Sequence, residues 1–129
     1  MTEDELSARA DEVAMRVTAS RPRPWRKLVE QWAKFVSQVE DGYVFTIYDY
    51  HNDLDLRGKI DEVLRGVHSD DRPVLEADVR EFDARFIAAT REGSEVIATF
   101  DRGFWARRLP TKLVGELAAD VGEAAPGEE

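Results

Sequence analysis

Apolar residues recur along most of the chain at the spacing of a helix face. Leu6, Ala10, Val13 and Val17 predict a modest amphipathic helix over about 4–19. Pro22 and Pro24 then break the pattern, because proline removes a donor and holds the residue before it extended. Trp25, Leu28, Val29, Trp32, Phe35, Val36 and Val39 follow the i, i+3, i+4, i+7 rule for four turns and predict the clearest helix. Pro24 suits its first turn and Gly42 its stop. Ile47, Tyr50, Leu54, Ile60, Val63, Leu64 and Val67 predict a third helix over about 47–66, opened by a capping box from Thr46 to Asp49. A polar connection with a cap at Asp70 or Asp71 leads to a fourth helix, about 73–91, striped by Leu75, Val79, Phe82, Phe86 and Ala89 and ended by Gly93. A last helix follows Pro110, capped by Thr111 and carrying Leu113, Val114, Leu117 and Val121.

Two stretches read both ways. Residues 43–50 and 95–100 are rich in β-branched and aromatic side chains, so each fits a strand as well as a helix or loop. The expected fold is therefore all-α, a compact bundle of four to six helices over residues 1–121. A short two-stranded β element from 43–50 and 95–100 is the alternative. Residues 122–129 read as an acidic, disordered tail.

Composition narrows the chemistry. The 129 residues suit one core, and 43% of them are hydrophobic, which is enough to fill it. With no cysteine, disulfides, thiolate catalysis and thiolate metal sites are excluded. Two histidines, His51 and His68, leave little for a zinc site or a histidine relay. No apolar run is long enough to span a membrane, and the acidic start does not read as a signal peptide, so a soluble cytoplasmic protein is expected. Arginine outnumbers lysine fourteen to four, a coding bias that points to a GC-rich bacterial source.

The net charge of −9 is unevenly placed. Residues 40–83 carry −8 and residues 116–129 carry −5, while 21–39 and 84–115 are basic islands of +4 and +3. Helix packing can answer much of this internally. Two aromatic–basic segments, around Trp25 and around Trp105, have the composition of a nucleic-acid grip, but the acidic whole opposes that approach, so no nucleic-acid partner is expected.

The densest polar cluster lies at 49–55. Asp49, Tyr50, Asp53 and Asp55 are the candidate partner-binding residues, with carboxylates to steer a basic partner and an aromatic to anchor it. Asp49, His51, Asp53 and Arg57 are the alternative, a small-ligand or metal-binding set. Arg57 falls beside the apolar stripe, so either its guanidinium is partly buried and needs Asp53, Asp61, Asp78 or Asp83, or its methylene stem covers the core edge while its head stays in water. No nucleophile–base pair, phosphate loop or metalloprotease motif is present, so no catalytic residue, no metal site and no cofactor are assigned. The expectation is a non-enzymatic protein–protein interaction protein, of an inhibitor or immunity type, with self-association left open. In size and charge it is like many toxin-neutralising bacterial proteins, an analogy that rests on no motif.

Overall fold

Helix ends leave backbone groups unpaired, and how this chain satisfies them sets its architecture. A computed structural model describes residues 3–92 and 103–124. Five helices lie among them: α1 (Glu3–Val17), α2 (Trp25–Asp41), α3 (Ile47–Gly66), α4 (Arg72–Ala89) and α5 (Gly115–Ala124). The all-α expectation holds, with a small antiparallel sheet of β1 (Thr90–Glu92) and β2 (Arg108–Pro110) added.

Thr18 closes α1, donating its hydroxyl to the Ala14 carbonyl at 2.8 Å and accepting the Arg23 N–H at 2.9 Å. Pro24 offers α2 no side-chain cap, so Asp11 of α1 takes the Trp25 N–H at 3.0 Å instead. At α3 both halves of the Thr46–Asp49 capping box form, and the helix occupies the expected span. Asp71 stands at the N-cap of α4, but its carboxylate is taken by Arg9 of α1, through two bonds of 2.9 Å.

The described β element does not use residues 43–50. The capping box commits residue 47 onward to helix, which leaves only Tyr43 of the 43–50 stretch in an isolated bridge, with Leu113. Residues 95–100 lie outside the described residues. The strands that do pair align Thr90 with Pro110 and Glu92 with Arg108. The fourth helix stops at Ala89, short of 91, because the Thr90 hydroxyl folds back on the Phe86 carbonyl at 2.7 Å. Arg108 completes that end: it donates to the carbonyls of Ile87 (3.1 Å) and Thr90 (3.0 Å), a cation at the negative end of the helix. The Gly93 stop lies outside the described residues.

The last helix begins at Gly115 rather than near Thr111, since Leu113 is held in the bridge to Tyr43. Gly115 adopts φ +59°, and a Cβ there would come within 2.7 Å of the Val44 carbonyl oxygen. α5 continues to Ala124, past the expected boundary at 121, and the rest of the acidic tail lies outside the described residues.

α2 packs against α1, α3 and α4, and α3 also against α1 and α5. Their apolar faces form one continuous cluster. At its centre Phe35 meets Trp32, Tyr43, Tyr50 and Phe86, with ring centroids 5.4–6.0 Å apart in tilted or edge-on geometry. Each such fully buried side chain contributes about 1.5–3 kcal/mol over an exposed one. Polar handles tie the core together: the Trp25 indole donates to Asp78 and the Trp32 indole to Asp83, both at 2.9 Å.

Candidate functional site

The link from α2 to α3 is where the fold presents unusual surface. Val44 and Phe45 in that link, and Tyr48 on the first turn of α3, are large apolar side chains left exposed; Tyr48 is 76% accessible and Phe45 48%. Their backbone is nonetheless pinned. Val44 accepts the Glu116 N–H at 3.1 Å, Ile47 donates to Asp120 at 2.9 Å, and Phe45 lies edge-on to Tyr43 at 5.6 Å.

Carboxylates stand on the adjoining helix ends. Asp41 ends α2, Asp49 lies in the first turn of α3, and Glu116 in the first turn of α5, all exposed. Asp41 opposes the dipole of its own helix, an arrangement that costs about 0.3–1 kcal/mol at low salt. Neighbouring Glu40 offsets the same cost by pairing with Arg85, whereas no ion pair engages Asp41 among the described residues. Lys112 lies over Gly42, and on the α2 side Arg21, Arg23 and Lys34 share a cleft with Phe45 and Asp49, so cations border the patch there.

The residues singled out from the sequence do not form one cluster. Tyr50 is fully buried, with its hydroxyl on the Arg108 carbonyl at 2.8 Å, so it offers no contact area; the exposed ring is Tyr48, two residues earlier. The helical period that places Tyr50 on the apolar stripe leaves Tyr48 off it, on the solvent side. Asp49 and Asp53 line a cleft of about 550 Å³ between α2 and α3, faced by Arg21, Arg23 and Lys34. Asp53 does not support Arg57. It accepts the Tyr43 hydroxyl at 2.5 Å, and burial raises its carboxyl above the ordinary range despite that bond. Burial and the same contact push the Tyr43 phenol upward. His51 and Asp55 are half-buried and both engaged in interactions, and neither lines the cleft.

Arg57 belongs to a different place. It is 6% exposed and lines a groove between α3 and α4. Among the four carboxylates expected to partner it, Asp83 does so: Nε to Oδ1 at 2.9 Å and Nη2 to Oδ2 at 2.8 Å. Asp83 Oδ1 also accepts the Trp32 indole, so one carboxylate joins α2, α3 and α4. The guanidinium lies against Trp105 and Phe104, its Cζ 5.0 and 5.4 Å from the ring centroids.

The acid of the middle segment is thus answered mostly by bases other than the first basic island. Asp71 pairs with Arg9, Glu40 with Arg85, Asp61 with Arg65 and Asp83 with Arg57. Among the described residues no group of three or more His, Asp and Glu side chains could hold a metal, and no helix is long and apolar enough to cross a membrane. Comparison of the chain with protein families, with curated proteins and with solved structures found no match in any of the three.

Proposed function

We propose that the chain is a non-enzymatic interaction protein that docks a basic protein partner on the Val44–Phe45–Tyr48 patch. The observation that carries this reading is three large apolar side chains held exposed on a pinned backbone, with the exposed carboxylates Asp41, Asp49 and Glu116 on the adjoining helix ends. Aromatic anchors on a fixed backbone lose little entropy on binding, which is the property of interface hot spots. The carboxylates supply what the anchors lack. Asp41, Asp49 and Glu116 steer a cationic surface toward the patch and discriminate against acidic ones. In role this is an inhibitor or immunity-type protein that covers a basic surface, and Asp49 remains from the sequence-derived set as a direct contact.

The test is enrichment at low salt from cells that encode the chain, followed by reconstitution of each recovered protein with purified wild type and with the double variant Phe45→Ser/Tyr48→Ser. The reading expects a basic partner whose affinity drops at least about tenfold with the double variant and falls with added salt. A partner that binds both forms equally, or one indifferent to salt, contradicts it.

A further inference from the structure

The α3–α4 groove carries an observation that neither the patch nor the core accounts for. Among the described residues, Arg57 Nη1 is the one buried side-chain polar atom without a hydrogen-bond partner. A buried donor left unmade is costly, and a guanidinium cannot escape the cost by losing its proton. Its orientation is fixed: Nε and Nη2 hold Asp83 in a side-on pair, so Nη1 lies on the edge away from that carboxylate.

The groove has a volume of about 490 Å³ and brings four arginines, Arg57, Arg65, Arg72 and Arg80, against three carboxylates, Asp61, Glu76 and Asp83. Three of these arginines already have acceptors: Asp83 for Arg57, Asp61 for Arg65 and the Leu64 carbonyl for Arg72. Arg80 is exposed, and no hydrogen bond or ion pair engages it among the described residues. Val79, Ala84 and the exposed Ile87 give the same groove an apolar lining.

We propose that this groove binds a small organic monoanion, a carboxylate with a short apolar body. Arg57 Nη1 and Arg80 take the carboxylate, and Val79 and Ile87 take the hydrocarbon. The charge balance selects the class, because one excess positive charge matches one negative charge, whereas a phosphate dianion would crowd Asp61 and Glu76. Nη1 is closed to solvent, so binding at that atom requires a neighbouring side chain to move. Phe104, 38% exposed, is the accessible one of the two rings against the guanidinium; Trp105 is buried.

Nitrogen-labelled full-length chain would be titrated with hexanoate, with its neutral amide hexanamide and with inorganic phosphate, following backbone amides and arginine side-chain N–H signals. Hexanoate should shift Arg57, Arg80 and the amides of α3 and α4, and bind at least about tenfold more tightly than either control. Arg80→Gln, on the exposed face, should weaken hexanoate about threefold or more without changing the melting temperature. Phe45→Ser/Tyr48→Ser should bind hexanoate like wild type, which separates this site from the docking patch. Equal binding of hexanoate and hexanamide, tighter binding of phosphate, or shifts absent or confined to other elements would overturn the proposal. So would an Arg80→Gln variant that binds hexanoate as wild type does.

Discussion

Tyr48 and Tyr50 stand two residues apart on the first turn of α3 and face opposite worlds: Tyr48 projects into solvent, while Tyr50 is buried with its hydroxyl on the Arg108 carbonyl. The helix geometry alone separates them, since residues at i and i+2 do not share a face. Their substitutions should therefore separate as well. Tyr48→Ala should change stability by no more than about 0.5 kcal/mol. Tyr50→Phe should cost about 1 kcal/mol through the lost hydrogen bond, and Tyr50→Ala about 3–5 kcal/mol. Urea unfolding measures all three.

Asp83 holds three helices through Arg57 and the Trp32 indole. Asp83→Ala leaves a buried cation and a buried indole N–H without their acceptor, and should destabilise the fold by about 3–5 kcal/mol. The double variant Arg57→Met/Asp83→Leu removes the charges together and should recover the part of that loss due to the unpaired cation, while the Trp32 indole N–H stays without its acceptor. Chemical denaturation of both variants gives the comparison, and partial recovery by the double variant is the expected outcome.

These two sites show how much of the molecule can be read without coordinates. Helical periodicity located the α2 and α3 cores and the third-helix cap, because both depend on spacing within one element. The pairing of Arg57 with a carboxylate was one of two readings its place beside the apolar stripe allowed, the other being a head left in water. The choice of Asp83 over Asp53, Asp61 and Asp78 was not, since it is made by the packing of α3 on α4. The exposure of Val44 and Phe45, which precede the helix, was not legible for the same reason, whereas the helical period already puts Tyr48 off the stripe. Local pattern marks 43–50 as apolar but cannot tell which rings the aromatic core will take. Among the described residues the sheet pairs 90–92 with 108–110, and the Thr46–Asp49 cap and the Arg108 cap, one local and one tertiary, decide where α3 begins and α4 ends.

Stability should fall on acidification. The bond from Arg9 holds the Asp71 carboxyl below its usual range, and that from Arg85 does the same for Glu40. A folded pKa below the unfolded one gives stabilisation that is complete above the unfolded value, about 4, and is lost as pH falls through the folded value. Urea midpoints should thus be lower at about pH 3 than at about pH 7, and Arg9→Gln should flatten this difference. Asp53 runs the other way: burial raises its carboxyl, so its ionisation weighs against the fold above that raised value. Asp53→Asn, which keeps an acceptor for Tyr43, should raise the midpoint at neutral pH.

Gly115 fixes the start of α5 against the link between α2 and α3. At φ +59°, with the Val44 carbonyl where a Cβ would go, Gly115→Ala should cost at least about 1–2 kcal/mol. Amide exchange should report the damage locally, with faster exchange at Glu116, whose N–H is bonded to Val44. Unchanged exchange there would show that the two segments are held by something else.

The docking patch is tested most directly by placing a photo-crosslinking phenylalanine analogue at position 48, and separately at position 74. Val74 is also exposed but lies on α4, outside the patch. Irradiation in cells that encode the chain should trap one basic protein at position 48 and not at 74, and salt should weaken the complex of that protein with the wild-type chain. No adduct at position 48, or the same adduct from both positions, would contradict the patch as the docking surface.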